Sequence, residues 1–375
     1  MSGFNMRKIC VFIENWMSGG IESFLRNTLL NMNLNQFEVH IIAEQVSSSV
    51  FTEDLKRAGV RFIELSGNSR CFSENIRLFK ELLKENQYDV LHVNAFQAMT
   101  LYYGEVARKA GIPVRIAHSH NTALRKSASK NIKLAIHRFY RRRYTKSFTQ
   151  LWACSRMAAE FLFDANDLQN NGFRFIPNGI QIEQFKPNDA DRAKIRDSLG
   201  LENALLIGSV GRLCGQKNQT FLVELMPKII KVNPVAILLL VGEGPDKDAL
   251  AKTAQRLNVA DHVIFYGATS HVEQIYSAID VLAFPSTFEG LPIVAVEAQA
   301  AGLPVICSDL IPEETFITPQ AKCIPLSDRE GWVRALTAGD LTRKDYSDTL
   351  THGGFAIQDV AKAVEQSYLE GIHGE

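Results

Sequence analysis

Two carboxylates, Glu289 and Glu297, stand eight positions apart in FEGLPIVAVEAQAAG (288–302), a stretch that is otherwise apolar. Eight positions on a helix turn through about 800°, so two acids on one helix would project about 80° apart and serve one end of one binding site. Gly290 and Pro292 mark the point where a loop turns into a helix, which puts Glu289 on the loop and Glu297 two turns inside. Two cations have a similar setting. Arg212 and Lys217 lie five apart beside the glycines of GSVGRLCGQKNQ. A guanidinium and an ammonium in a strand-to-helix loop suit a diphosphate, because they neutralise it and donate hydrogen bonds. In WMSGGIESF, Gly19 and Gly20 let backbone N–H groups approach an anion ahead of a helix, although a plain turn also uses two glycines. VGEGPDKDAL carries Gly242 and Gly244 in a tight turn but lacks the third glycine and the downstream acid of a dinucleotide fingerprint, which disfavours an NAD site. The D-x-D at Asp189–Asp191 lies in a polar, linker-like segment and is expected to cap the helix DADRAKIRDSLG rather than hold a metal.

These loops need strands to carry them. Short apolar runs predict strands at 8–13, 37–44, 60–65, 89–94, 114–119, 151–155 and 173–178, then at 204–211, 236–242, 263–267, 281–285, 304–308 and 322–326, with amphipathic helices between. That alternation is an α/β pattern of parallel sheets covered by helices. A chain of 375 residues exceeds one usual core, and a polar, proline-bearing boundary at IQIEQFKPNDADRAK divides it into 1–185 and 186–355. The closing helical stretch, 356–375, is free to pack back on the first domain. Two doubly wound, Rossmann-like domains facing across a cleft are expected, with ligands at the carboxyl ends of the strands. The bulk composition is that of an ordinary soluble protein, 46% apolar and 22% charged with zero net charge, so no global pull toward nucleic acid is expected. Six cysteines without a C-x-x-C spacing read as reduced core residues of a cytoplasmic protein. Neither an apolar leader nor a run of 18 apolar residues is present, so neither secretion nor a spanning helix is indicated.

Taken in order, GG after the first strand, IPNGI at the boundary, GRLCGQKN, VGEGP and FPSTFEGLPIVAVEAQAAGLPVICSD resemble the family 4 retaining glycosyltransferases of GT-B fold. RIAHSHNT is similar to bacterial exopolysaccharide and capsule enzymes of that family, of the EpsF type. The resemblance implies a hexosyl transfer from a nucleotide-sugar, most often a UDP-sugar, bound by the second domain, to a glycan or lipid-linked acceptor bound by the first. It implies that Glu297 holds the ribose hydroxyls and that Glu289 orients the donor sugar. Backbone N–H groups of Gly290 and Leu291 would add to donor binding, as would the loops of Gly19, Gly20, Gly242 and Gly244. Arg212 and Lys217 would stabilise the leaving diphosphate, with no metal and no cofactor. Retention would follow from a same-face substitution in which the donor phosphate helps deprotonate the acceptor, so the protein supplies positioning and electrostatics. A histidine near the donor sugar is His118 or His120, which period two places on one side of a strand. Asn94 and Asn121 are candidate acceptor contacts. The chain departs from its relatives at Gln181, where an Asp is common.

One segment is basic throughout. From Val106 to Ala159 there are thirteen Lys and Arg and no Asp or Glu. NIKLAIHRFYRRRYTKS alternates apolar residues with Lys133, Arg138, Arg141, Arg142, Arg143 and Lys146 at helical spacing. Such a helix favours an anionic bilayer surface, each cation contributing about 1 kcal/mol. A peripheral enzyme on the inner face of the plasma membrane, acting on a lipid-diphosphate-linked glycan, fits that helix, and no nucleic-acid reader motif is present. The rival readings are a non-hydrolysing sugar-nucleotide epimerase, which should carry more acid/base carboxylates, and a non-catalytic membrane-associated binding protein. The sequence carries no signal for oligomeric state.

Overall fold

The computed structural model describes residues 6–17, 19–47, 49–65, 71–124 and 130–370. The chain forms two compact units, Met1–Gly179 with Ile357–Glu375, and Ile180–Ala356. The first unit thus ends at Gly179 rather than at 185, and the returning segment belongs to it.

Every expected strand is present. In the first unit β1 (Arg7–Trp16), β2 (Phe37–Val46), β3 (Arg61–Glu64), β4 (Val90–Ala95), β5 (Val114–Ser119), β6 (Gln150–Ala153) and β7 (Arg174–Phe175) form a parallel sheet of order β3-β2-β1-β4-β5-β6-β7. In the second, β8 (Leu205–Val210), β9 (Ala236–Val241), β10 (Val263–Gly267), β11 (Val281–Phe284), β12 (Val305–Ser308) and β13 (Ala321–Ile324) follow the order β10-β9-β8-β11-β12-β13. The central strands are buried on both faces, which is why they read as continuous apolar runs such as AILLLV. In each sheet the order reverses beside the first strand. The crevices for ligands therefore open after β1 and β4, and after β8 and β11.

Each unit has its own core. Ile9, Val11, Phe24 and Ile41 pack with Val360, Ala361, Val364 and Tyr368 of the returning helix Ile357–Leu369. In the second unit Leu222, Met226, Leu238 and Val281 surround Trp332. Asn188, not the D-x-D, caps the helix Asp189–Leu199 by accepting from the N–H groups of Ala190 and Asp191. The two aspartates sit in its first turn, where their charge complements the helix dipole. The helix stops at Gly200, in the left-handed conformation at φ 65°. All six cysteines are free, but Cys71 and Cys323 are exposed rather than part of a core. No helix among the described residues is long and apolar enough to cross a membrane.

Candidate active site

The second unit gathers its charges on the two loops that flank the strand reversal. After β8 the chain passes Gly211, at φ 140°, into the Arg212–Lys217 loop. A Cβ on Gly242 would lie 2.2 Å from the Gly211 carbonyl oxygen, and one on Gly244 would lie 2.2 Å from that of Leu213. These two glycines therefore let the loop after β9 close directly on the cationic loop, and Leu213 N–H donates to the Glu243 carbonyl at 3.0 Å. Lys217 Nζ donates to Glu289 Oε1 at 2.7 Å, and Ser286 Oγ donates to the same oxygen at 2.8 Å. The ammonium also lies 4.8 Å from the centre of the Phe284 ring, whose face is attractive to a cation. Arg212 is exposed, and its guanidinium has no ion pair among the described residues. One cation is thus held by a nearly buried acid, while the other is presented to solvent.

The helix Ile293–Ala300 begins after Pro292, its N-cap, with Gly290 and Leu291 buried just before it. Glu289 stands on the loop and Glu297 inside the helix, as the spacing predicts. Glu297 Oε2 accepts from the Tyr276 hydroxyl at 2.9 Å. Burial pushes its carboxyl up to about 7, against the Tyr276 hydrogen bond and with help from nearby Glu273. Tyr276 is absent from the sequence reading. It is fully buried on the helix Val272–Ala278, whose end is held by the Arg343 guanidinium through the carbonyls of Tyr276, Ser277 and Ile279.

The first unit is organised differently. Gly19 is the N-cap of the helix Gly20–Leu30. The Glu22 carboxylate folds back over it, accepting from Met17 N–H at 2.9 Å and from the Gly19 amide. An anion site at the glycine pair is thus already filled by the chain's own acid, which burial holds above its ordinary pKa. Across the reversal, His118 and His120 lie on one side of β5, their rings 3.9 Å apart. His118 is fully buried and meets His92 at 3.3 Å, which in turn meets the Tyr368 hydroxyl at 2.7 Å. His120 is half-buried at the strand end, with Nε2 2.9 Å from Asn94 Oδ1. Burial lowers the pKa of His120 to about 3, so the ring is neutral at pH 7. Of the two histidines, only His120 retains access to a ligand. Asn94 is fully buried and orients His120, while Asn121 donates to the Ala123 carbonyl at 2.7 Å and shapes its own loop. Gln181 is exposed, and its side chain makes no cap.

The basic segment contains the helix Lys130–Tyr144. Ile132 (66% exposed), Ile136 and Phe139 (59%) form an outward stripe, and Lys133, Arg138, Arg142, Arg143 and Lys146 are exposed with them. Arg141 departs from the expected outward set. Its guanidinium donates at 3.0 Å to the Glu160 carbonyl and satisfies the end of the helix Arg156–Leu162. Arg125 and Lys126 of the basic block lie outside the described residues.

Two Rossmann-like units, the second with acids and cations converging at its strand reversal, are the architecture of a GT-B glycosyltransferase. Among solved structures, Anabaena Alr3699/HepE in complex with UDP shares the fold, with a TM-score of 0.72 at 18% identity over 98% of this chain and 96% of that one. The profile of Glycosyltransferase Family 4 matches residues 18–184, and that of Glycosyl transferases group 1 matches residues 191–322. EpsF of Bacillus subtilis (strain 168) is 29% identical over 97% of each chain. The UDP-Gal:alpha-D-GlcNAc-diphosphoundecaprenol alpha-1,3-galactosyltransferase of Escherichia coli is 30% identical over 70% of this chain and 68% of its own. The chain belongs to glycosyltransferase family 4.

Proposed function

We propose that this glycosyltransferase moves a hexose from a UDP-sugar to a lipid-diphosphate-linked glycan, with retention of anomeric configuration and without a metal, in exopolysaccharide or capsule synthesis. The observation that carries the reading is the pairing of Lys217 with Glu289 beside the exposed Arg212. Cleaving the glycosidic C–O bond leaves negative charge on the nucleoside diphosphate. Fixed cations aimed at that charge are worth roughly 3–4 kcal/mol in the transition state. Glu297, steadied by Tyr276, is the acceptor of hydrogen bonds from the ribose hydroxyls. On the first unit, neutral His120, oriented by Asn94, is suited to meet a sugar hydroxyl as a hydrogen-bonding group rather than as a charge. The UDP bound to HepE and the UDP-Gal and diphosphoundecaprenol in the name of the E. coli relative support this choice of donor and acceptor.

The outward stripe of the helix Lys130–Tyr144 supports a peripheral seat on an anionic bilayer at the cytoplasmic face of the plasma membrane, with apolar side chains flanked by cations. UDP release from a UDP-sugar panel tests the reading, with a diphosphoundecaprenol-linked acceptor in phosphatidylglycerol vesicles. Release should depend on the acceptor, the product anomer by NMR should match the donor, and EDTA should leave the rate unchanged. Arg212→Ala should weaken UDP binding about tenfold or more in calorimetry. Acceptor-independent conversion of the donor to an epimer would replace this reading with the epimerase one.

A further inference from the structure

His137 lies on the inner face of the basic helix and is nearly fully buried. Its Nδ1 accepts from the backbone N–H of Ala98 at 3.1 Å, and its Nε2 is 2.9 Å from the Phe161 carbonyl oxygen. A backbone amide can only donate and a carbonyl can only accept, so the ring is held neutral, with its hydrogen on Nε2. Phe161 also packs on the imidazole, the ring centres 4.4 Å apart. One side chain thus ties the basic helix to two separate pieces of backbone.

The piece at Ala98 is the one that matters for the site. Ala98 opens the short turn Ala98–Leu101, which follows directly from the carboxyl end of β4 and from Asn94, the partner of His120. The same segment is bonded to the rim at two further points. The Phe96 carbonyl accepts from Asn121 at 3.4 Å, and the Thr100 hydroxyl donates to Glu14 at the carboxyl end of β1. The outer face of the basic helix carries Ile132, Ile136 and Phe139, and its inner face meets the rim through this ring and through Tyr140 and Tyr144, which pack on Tyr102 at the end of the Ala98–Leu101 turn.

We propose that His137 is a positioning residue that couples the seating of the basic helix on a lipid surface to the geometry of the rim carrying Asn94, His120 and Glu14. This rests on the reading of that helix as the membrane face. A helix pressed onto the bilayer holds the Ala98 turn in place, and a helix that tilts away releases it. The clamp is also sensitive to acid. A second proton on the ring would set an N–H against the Ala98 N–H and break the bond. The elements packed around it carry Lys133, Arg138, Tyr140, Arg141, Arg142, Arg143 and Tyr144 on its own helix, Tyr102, Tyr103, Glu105, Arg108 and Lys109 on the helix Tyr102–Lys109, and Lys146, Arg156 and Glu160 beyond it, while the Ala98 turn is bonded through Thr100 to Glu14, whose carboxyl burial pushes up to about 7. Burial, opposed by the Phe161 hydrogen bond and helped by the Arg141 charge, holds the His137 pKa below its ordinary value, so the clamp is closed at neutral pH and opens on acidification.

Amide exchange at Ala98, with and without phosphatidylglycerol vesicles, tests this independently of any sugar donor. In the wild type the amide should be protected, and vesicles should slow its exchange further. In His137→Ala the exchange should rise about tenfold and lose its response to vesicles, while co-sedimentation with the vesicles stays unchanged. His137→Gln offers an amide oxygen to Ala98 and an amide N–H to Phe161 without titrating. It should restore protection and turnover at pH 7 and keep the Ala98 protection factor from falling on acidification. With the UDP-sugar that the wild type turns over, His137→Ala should lower kcat with little change in the donor KM. Unchanged Ala98 exchange in His137→Ala, or an Ala98 protection factor that still falls on acidification in His137→Gln, overturns the proposal. Absence of turnover with every UDP-sugar would instead count against the transferase reading, and absence of wild-type co-sedimentation against the membrane reading. Exchange at Ala98 would still decide whether the clamp exists.

Discussion

The two strand reversals of this molecule share a topology and differ in charge. After β8 and β11 an ammonium and a carboxylate are paired at 2.7 Å with a second cation left in solvent. After β1 and β4 no such cationic element stands among the described residues, the glycine pair is covered by Glu22, and the histidines are neutral. On the function proposed above, the same strand-loop-helix unit suits a diphosphate only where the loop brings its own cations. The glycines follow this division. Gly242 and Gly244 serve close backbone packing, and Gly19 makes room for a carboxylate.

Removing the cation should erase the contrast, with the largest effect. Lys217→Ala should cost about 10²–10³ in kcat/KM by UDP release and lower the melting temperature, because nearly buried Glu289 loses its cation and keeps only neutral donors such as Ser286. Wild-type rates in that variant would mean that the two reversals do not divide the work as their charges suggest.

A middle-sized effect should come from Glu297. Its carboxyl titrates near 7 in the folded chain, against the ordinary 4.5, so the native state binds the extra proton between those values. Stability of the free protein should fall as pH rises from about 4.5 to about 7, and Glu297→Gln should flatten that slope in thermal melts. UDP affinity in the wild type should rise over the same window as the carboxylate forms, and a pH-independent affinity would remove Glu297 from the ribose.

The smallest effect sharpens the other side. Glu22→Ala should lose about 1 kcal/mol as the helix end gives up its acceptor, read as a lower melting temperature. UDP binding to the second unit should be unchanged. Inorganic phosphate should then shift the Met17 and Gly19 amide resonances, which it leaves alone in the wild type.

Strands were the most legible part of the chain, because burial on both faces writes itself as an unbroken apolar run, as in AILLLV. Glu289 on its loop and Glu297 in its helix were legible too, since G-L-P announces the helix start. Tyr276 was not. It reaches Glu297 from another helix, and the sequence separation of 21 residues carries no sign of that contact. Glu22 carries a sequence signal, an acid three positions after the N-cap, which is the spacing of a capping box. Arg141 shows the limit of counting cations. Three consecutive arginines must point around a helix, and one of them turns inward to bond carbonyl groups. His118 and His120 share a strand face, so only depth in the fold separates them.

The helix Ile357–Leu369 packs among the side chains of the first unit although the whole second unit precedes it in the chain. During synthesis the amino-terminal sheet therefore waits with part of its apolar surface uncovered, while the inserted unit finishes first. The usual order of maturation from the leading end is reversed. That uncovered surface belongs to the making of the chain rather than to its running.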